Sequence, residues 1–225
     1  MSHTFTVVDD VPGAFAERIV ESFKGRADED FSIALSGGST ARRCYERLAA
    51  EAATSIDWWK VDVYWGDERC VPHDHEDSNY LLAREALLDV VGAANATHLM
   101  RCAEVDAYQL RVGDLGRFDV VHLGLGADGH TASLFAGSPA LDADPGRLVA
   151  LNTDPSGRNP YERMTLTFAG IARARLVVVT VEGEEKAEAL AAVRRGDDVP
   201  AARIEGERVL WLVDPAAASQ LPPEG

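Results

Sequence analysis

Short apolar runs of strand character alternate with segments of helical periodicity, and this alternation is the sequence feature that most restricts the fold. Strands are predicted near residues 4–8, 31–35, 61–65, 118–123, 147–152, 163–167, 175–181 and 208–213. Helices are predicted near residues 12–27, 40–53, 78–90, 104–115 and 184–195. Because alternating strands and helices are typical of βαβ units, the sequence predicts an α/β protein with a mainly parallel sheet.

The run at 175–181 is almost entirely apolar, as expected for a central strand that is covered on both faces. No internal repeat, low-complexity tract or clear linker interrupts the chain, and 225 residues are enough to bury a substantial core. We therefore expect a single domain over residues 1–225, which we expect to be a monomer.

Charge and cysteine content exclude several classes of function. The formal net charge is −15 at pH 7, so phosphate backbones would be repelled and nucleic acid is not an expected partner. Neither a signal peptide nor an apolar stretch of the ~18 residues needed to span a membrane is present. Cys44, Cys70 and Cys102 are odd in number and form no C-x-x-C pair, so a disulfide framework is not expected and a reducing cytoplasm is predicted.

Three of the predicted strands end in polar loops that contain glycine. These loops are Ser-Gly-Gly-Ser-Thr at 36–40, Gly-Asp-Glu-Arg at 66–69 and Gly-Leu-Gly-Ala-Asp-Gly-His at 124–130. Ligands of open parallel sheets bind outside the carboxyl ends of the strands, so the three loops can share one site. Their amides, hydroxyls, carboxylates, guanidinium and imidazole suit a small phosphorylated substrate and acid–base chemistry.

The 36–40 loop is predicted to bind an anion. It joins a strand to a helix, its glycines let the backbone approach a ligand, and the amides of the first helical turn point outward. The alternative is a tight turn in which a hydroxyl only caps the helix. A Walker loop is excluded because the G-K-[ST] ending is absent.

The 124–130 loop formally matches the G-x-G-x-x-G dinucleotide fingerprint. Its position in the middle of the chain and the polar residues that follow it argue against a dinucleotide site. Asp128 and His130 favour another role, because an imidazole is suited to general-base catalysis near neutral pH and a neighbouring carboxylate can orient it. A structural or solvated histidine is the alternative.

Four charged residues complete the candidate site. Asp67 and Arg69 lie in the second loop, Arg163 begins an alternating strand, and Lys186 lies near the start of a helix after the apolar strand. A guanidinium binds phosphate bidentately and an ammonium binds it as a point charge. The alternative for each is a surface charge or a weak surface ion pair.

The run His-Asp-His-Glu-Asp at 73–77 has the composition of a metal site. Adjacent residues in a loop bounded by proline do not by themselves supply convergent ligands, so no metal is expected there. Solvated polar side chains are the simpler interpretation.

Taken in order, these segments resemble the family of bacterial-type 6-phosphogluconolactonases, which is related to the glucosamine-6-phosphate deaminases. The matching segments span nearly the whole chain and are residues 36–40, 65–69, 71–72, 77–80, 124–135, 162–167, 183, 186–187, 200–204 and 211. The segment at 124–135 is specific, because the deaminases share Asp-Gly-His but typically continue with Ile-Ala-Phe-Asn-Glu. At 158–161 the chain has Arg-Asn-Pro-Tyr where the family often has lysine and consecutive prolines, so no supporting lysine is expected there.

The resemblance implies a Rossmann-like α/β fold with helices on both faces of the sheet, shared with sugar-phosphate deaminases and isomerases. It also implies hydrolysis of 6-phospho-D-glucono-1,5-lactone to 6-phospho-D-gluconate in the oxidative pentose phosphate pathway, without metal or organic cofactor.

Lactone hydrolysis requires deprotonation of water and stabilisation of an oxyanion, and the resemblance places these roles on the loops described above. His130 is the expected general base, oriented by Asp128, and Arg69, held by Asp67, is expected to stabilise the oxyanion. The residues expected to hold the phosphate are Ser36, Gly37, Gly38, Ser39, Thr40, Arg163 and Lys186.

Two alternatives from other functional classes remain. An isomerase or deaminase on the same scaffold would need a further carboxylate for proton transfer at carbon, and the absence of Asn-Glu after Asp-Gly-His counts against it. A non-catalytic sugar-phosphate sensor would usually be fused to a DNA-binding domain, for which this acidic chain offers no segment.

Overall fold

The computed structural model describes residues 3–92 and 94–221, which form a seven-stranded and a three-stranded sheet with surrounding helices. The predicted domain over 1–225 includes positions 1, 2, 93 and 222–225, which lie outside the described residues. The strands are β1 (His3–Val7), β2 (Phe31–Leu35), β3 (Val61–Trp65), β4 (Asp67–Arg69), β5 (Ala96–Thr97), β6 (Phe118–Gly124), β7 (Val149–Asn152), β8 (Arg163–Leu166), β9 (Ala174–Val181) and β10 (Arg208–Val213).

The α-helices are α1 (Val11–Lys24), α2 (Ser39–Ala52), α3 (Asn79–Ala83), α4 (Asp89–Val91), α5 (Val105–Leu115), α6 (Phe168–Ile171) and α7 (Ala187–Arg195). A π-helical segment, Arg84–Leu88, joins α3 to α4. Short 3₁₀ helices lie at Trp58–Lys60, Cys102–Glu104, Pro139–Asp142, Glu184–Lys186, Pro200–Arg203 and Ala217–Gln220.

The larger sheet has the strand order β1-β10-β9-β6-β2-β3-β5, and every pair in it is parallel. The predicted parallel α/β architecture is therefore confirmed. Strand β9 lies in the interior of the sheet, and all but one of its eight residues are buried, which explains its almost unbroken apolar sequence.

Helices cover both faces of this sheet, as predicted. Tyr64 of β3 and Val121 of β6 align with the same residue of β2, so their side chains point to one face, where Tyr108 of α5 packs against Tyr64 at 6.3 Å between ring centroids. His122 follows Val121 and points to the opposite face, where its ring centroid lies 4.3 Å from that of Phe15 in α1. The alternation of side chains along β6 thus divides the core into two layers.

The three-stranded sheet has the order β4-β8-β7 and is antiparallel. The sequence analysis predicted β7 and β8 as strands but did not predict β4, which has only three residues, all of them charged. Strand β5 and helix α6 were also missed, because two and four residues are too few to give a periodic signal. The helix predicted at 78–90 is present but is interrupted by the π-helical segment.

The expectation about disulfides is wrong. Cys70 and Cys102 are joined by a disulfide bond with their Cα atoms 5.6 Å apart, whereas Cys44 is a buried free thiol. The bond connects the residue after β4 to the 3₁₀ helix that precedes α5. Since the two cysteines are separated by 32 positions, only the fold brings them together.

Candidate active site

A cleft of about 190 Å³ lies at the carboxyl ends of the parallel strands and reaches the edge of the three-stranded sheet. The residues that line it are Ser36, Gly37, Gly38, Asp67, Arg69, Asn79, Gly124, Leu125, Gly126, His130, Thr131, Ala132, Asn159, Arg163 and Lys186. A pocket of about 150 Å³ adjoins it, shares the two glycines of the 36–40 loop and Lys186, and adds Ser39 and Thr40. Of the predicted site residues, only Asp128 lines neither space.

The small sheet presents two arginines side by side. Arg69 of β4 is the register partner of Arg163 of β8, and Asp67 is the partner of Thr165. Side chains two residues apart on a strand share a face, so all four point to the same side. This pairing explains why positions almost a hundred residues apart in sequence meet in one cleft.

The cleft contains three cationic side chains, those of Arg69, Arg163 and Lys186. Within residues 3–92 and 94–221, neither arginine nor Lys186 forms an ion pair at 4.0 Å or less. The Nε atoms of Arg69 and Arg163 are buried without any hydrogen-bond partner. Burial lowers the pKa of Arg163 below its ordinary value, and although Asp67 acts against this shift, the charge of Arg69 adds to it. Two adjacent guanidinium groups without counter-ions form a site for an anion or a developing negative charge.

Asp67 does not hold Arg69 in place, contrary to the sequence-based expectation. The Arg69 guanidinium donates to the backbone carbonyl of Asp77. Asp67 is 5% exposed and accepts hydrogen bonds from Ser133 Oγ at 2.6 Å and Asn79 Nδ2 at 3.2 Å. The carboxylate is therefore fixed by neutral donors, which leaves the guanidinium groups available to a ligand.

Glu68 is the acid that organises the loop after β4. It is 2% exposed and accepts from the amides of Arg69, Asn79 and Tyr80 at 2.6–2.8 Å and from Ser78 Oγ at 2.9 Å. Burial raises the pKa of its carboxyl, although the four donors counteract part of this effect. Because two of the amides belong to the first turn of α3, Glu68 fixes that helix against β4.

His130 and Asp128 form a close pair at the rim of the cleft. His130 Nδ1 lies 2.5 Å from Asp128 Oδ1, and their side chains are 24% and 29% exposed. Burial alone would raise the pKa of Asp128, but the charge and hydrogen bonds of His130 outweigh it and hold this pKa below its ordinary value. An ionised Asp128 accepts a hydrogen bond from Nδ1–H, so Nε2 is the ring nitrogen that this contact leaves available. The predicted orientation of His130 by Asp128 is therefore present.

Gly126 is needed beneath this pair. A Cβ atom at position 126 would overlap both His130 Nδ1 and Asp128 Oδ1. The glycine thus permits the close packing of the imidazole and carboxylate on the loop that follows β6. Of the three glycines in the G-x-G-x-x-G pattern, the second one has this packing role here.

The 36–40 loop ends at the start of α2. Gly38 precedes this 14-residue helix, has a φ of +97° that favours glycine, and leaves the first turn without a side-chain cap. The alternative of a hydroxyl-capped turn is therefore wrong. The first residues of this helix, Ser39 and Thr40, line the smaller pocket, so the uncapped start of α2 suits an anion. Glu182 also lines the smaller pocket, but its charge is paired with Arg43 at 2.6 Å.

Asn79 is a cleft residue that the sequence analysis missed. It is 1% exposed, and its Nδ2 donates to the backbone oxygen of Asp67 at 2.9 Å as well as to its carboxylate. These two acceptors fix the amide orientation, and Oδ1 is left without a partner against Gly37. The sequence analysis identified residues 77–80 as a segment that matches the family, at the start of a predicted helix, but assigned Asn79 no role in the site. Ser78 caps this helix by accepting a hydrogen bond from Leu81 N at 3.2 Å.

The segment at 158–161, where the chain departs from the family pattern, also reaches the site. Asn159 lines the cleft and donates from its backbone and side-chain nitrogens to Asp154 Oδ2 at 3.0 and 2.8 Å. Tyr161 has a φ of +77°, which is rare for a residue with a side chain, and its hydroxyl donates to Asp77 at 2.9 Å. Backbone strain of this kind, at a residue other than glycine, is common at functional sites.

Neither a metal cluster nor a membrane-spanning helix is found in the described ranges. No three or more histidine, cysteine, aspartate or glutamate side chains are arranged there to hold a metal ion, and His73 of the 73–77 run instead contacts the carbonyl of Met100 at 3.1 Å. No helix within these ranges is long and apolar enough to cross a bilayer.

Comparisons with known proteins show which proteins the chain is similar to. The family model described as glucosamine-6-phosphate isomerases/6-phosphogluconolactonase matches residues 6–211. A 6-phosphogluconolactonase of Synechocystis sp. is 38% identical over 212 residues, which cover 85% of each chain. The solved structure of the 6-phosphogluconolactonase from Trypanosoma brucei is 32% identical with a TM-score of 0.82, covering 98% of this chain and 99% of that one. The structure from Leishmania guyanensis is 26% identical with a TM-score of 0.85, covering 99% and 100%.

Proposed function

Because the chain belongs to the glucosamine-6-phosphate isomerase/6-phosphogluconolactonase family, we propose that it hydrolyses 6-phospho-D-glucono-1,5-lactone to 6-phospho-D-gluconate. This is the second step of the oxidative pentose phosphate pathway. The observation that carries the proposal is the placement of an oriented imidazole and two unpaired guanidinium groups around one cleft. These are the groups that attack of water on a lactone carbonyl requires.

His130 acts as the general base. Its Nδ1 is bonded to Asp128, so Nε2 takes a proton from the attacking water as the new carbon–oxygen bond forms. The carbonyl oxygen then carries negative charge, which Arg69 stabilises. When the bond between the carbonyl carbon and the ring oxygen breaks, the imidazolium returns its proton to the departing alkoxide, and the product is an open-chain acid.

The phosphate site extends from the smaller pocket into the cleft. The amides at the start of α2, the hydroxyls of Ser39 and Thr40, and Lys186 surround the smaller pocket, and Arg163 reaches the shared cleft. With a net charge of −15 on the whole chain, a doubly charged substrate needs such a local cluster of donors. Binding energy from the phosphate orients the reacting carbonyl, so losing it should reduce turnover as well as affinity.

The isomerase and deaminase alternative is not favoured. The comparisons with curated relatives and solved structures above give 6-phosphogluconolactonases. Asp67, the acid closest to the cleft, accepts hydrogen bonds from Ser133 and Asn79. An assay with glucosamine 6-phosphate is expected to give no turnover.

The test is the disappearance of freshly generated 6-phosphogluconolactone above its spontaneous hydrolysis. Wild-type protein should accelerate it and should prefer the phosphorylated lactone strongly over glucono-1,5-lactone. His130→Ala should lower turnover by about 10² to 10⁴ while 6-phosphogluconate binds nearly as before, because a general base acts in the transition state. His98→Ala is the matched control, since His98 lies outside the cleft and packs on Tyr64. Normal turnover in His130→Ala would remove the imidazole from the mechanism.

A cytoplasmic location and a monomeric state belong to the same proposal. Support for the location is the metabolic reaction. The disulfide bond between Cys70 and Cys102 weighs against a compartment that is permanently reducing, because such a compartment keeps thiols reduced. Sedimentation of the purified protein tests the monomeric state.

A further inference from the structure

We propose that Tyr45 and His122 are positioning residues for phosphate recognition, because these buried side chains fix the backbone of Ser36. The proposal rests on the phosphate-binding role of the 36–40 loop in the proposed function. Neither residue lines the cleft or the adjoining pocket. Both are completely buried, and the reaction scheme above uses neither of them.

A continuous chain of hydrogen bonds passes through these residues. Ser36 N donates to Tyr45 Oη at 2.6 Å, Tyr45 Oη lies 2.9 Å from His122 Nδ1, and His122 Nε2 lies 2.9 Å from Thr180 Oγ1. Tyr45 Oη also donates to the carbonyl of Ser36 at 3.2 Å. We call these four residues, Ser36, Tyr45, His122 and Thr180, the buried hydrogen-bond chain.

The buried hydrogen-bond chain connects the strands that carry the three parts of the site. Ser36 is the first residue after β2, His122 lies in β6 just before the loop of His130, and Thr180 lies in β9 just before the loop of Lys186. Strands β2, β6 and β9 are neighbours in the sheet. Each polar member is 5% exposed or less, so these contacts are protected from water.

One protonation pattern satisfies every contact. If Nδ1 of His122 carries the proton, it donates to Tyr45 Oη, the tyrosine hydroxyl donates to the Ser36 carbonyl, and the Thr180 hydroxyl donates to Nε2. Burial lowers the pKa of His122 to about 3, so the imidazole stays neutral near pH 7. The pattern is therefore constant while His130 exchanges protons during turnover.

Ser36 is the member through which the chain acts on the ligand. Its amide and carbonyl are both held by one phenol hydroxyl, and Gly37 and Gly38 follow it directly in the lining of both spaces. A glycine pair has no side-chain contacts of its own to set its position, so its placement depends on the residue before it. Loss of the Tyr45 hydroxyl would leave the Ser36 amide buried without a partner and allow the loop to shift.

The test compares Tyr45→Phe with Phe15→Leu. Phe15 packs on the same His122 ring at 4.3 Å between centroids but makes no bond in the chain, so its replacement disturbs packing alone. Tyr45→Phe should weaken inhibition by inorganic phosphate and by 6-phosphogluconate about tenfold and raise KM for the phosphorylated lactone to a similar extent. Its kcat/KM for unphosphorylated glucono-1,5-lactone should stay within about twofold of wild type. Phe15→Leu should leave the preference for phosphate unchanged.

Thr180→Val is the second variant, because it removes the far end of the chain with little change in volume. Since Thr180 also lines the smaller pocket, only an unchanged phosphate preference in this variant is decisive. Thr180→Val should also reduce the preference for the phosphorylated lactone, by a smaller factor than Tyr45→Phe. Equal losses on both lactones in Tyr45→Phe, or the same selective loss in Phe15→Leu, would overturn the positioning role. If Tyr45→Phe fails to fold, an unchanged phosphate preference in Thr180→Val overturns it. A wild-type protein without preference for the phosphorylated lactone would instead refute the proposed function itself.

Discussion

Removing the bond between Cys70 and Cys102 should lower the stability of the protein without unfolding it. The bond closes a loop across 32 positions, between the residue after β4 and the 3₁₀ helix before α5. Both cysteines are only partly buried, so serine at either position adds little further cost from burying a hydroxyl group. The main effect of substitution is therefore a larger gain of chain entropy on unfolding.

The magnitude follows from the length of the closed loop. For about 33 residues the loop-closure relation gives roughly 12.5 cal/mol/K, or about 3.7 kcal/mol at 25 °C. A domain of this size shifts its Tm by about 2–4 °C for each kcal/mol. We therefore expect Tm to fall by about 7–15 °C in Cys102→Ser.

The assay is scanning calorimetry of the wild type and variants with and without a reducing agent. Cys70→Ser, Cys102→Ser and the double variant should all have the same lowered Tm, because one bond is lost in each case. In these three variants the reducing agent should not change the Tm. Cys44→Ala is the control, since Cys44 is a buried free thiol and this variant should retain the full shift on reduction.

Two results would refute this reasoning. One is a wild-type Tm that does not respond to the reducing agent, together with a mass equal to that of three free thiols. The other is additive losses in the double variant, which would mean that each cysteine contributes separately through packing.

Three further predictions concern the site and the core. Gly126→Ala should lower kcat by about 10²-fold with little change in the inhibition constant of 6-phosphogluconate, because the new methyl group would separate His130 from Asp128; wild-type kcat in this variant would contradict the packing argument. Burial lowers the pKa of His122 to about 3, whereas its pKa in the unfolded state is near 6.5. Between these two pH values only the unfolded state binds the proton, so the free energy of unfolding should fall by about 1.4 kcal/mol for each pH unit from about pH 6.5 down to about pH 3. Urea titrations at several pH values should show this pH dependence of the free energy of unfolding in the wild type but not in His122→Asn. The same pH dependence in both proteins would show that His122 is not buried in its neutral form. Asn79→Ala should destabilise the protein by about 1–3 kcal/mol, because two buried acceptors lose their donor, and an unchanged urea midpoint would contradict that bonding.

The sequence by itself determined the class of fold and indicated most of the candidate site. Apolar runs of strand length alternate with amphipathic segments, and such patterns are local, so they can be identified without knowing what packs against them. The same holds for the 36–40 loop and for the pair Asp128 and His130, which are two positions apart. Their contact depends on one short turn, and it formed as predicted.

Only the tertiary structure decided which distant residues meet. Arg69 and Arg163 lie side by side because β4 and β8 pair in one register, and β4 is too short and too polar to be identified from its sequence. The disulfide, the role of Asn79 and the chain through Tyr45 and His122 likewise depend on contacts between separate elements. The physical reason is that hydrophobic periodicity records burial, whereas pairing between elements is selected by the packing of the whole chain.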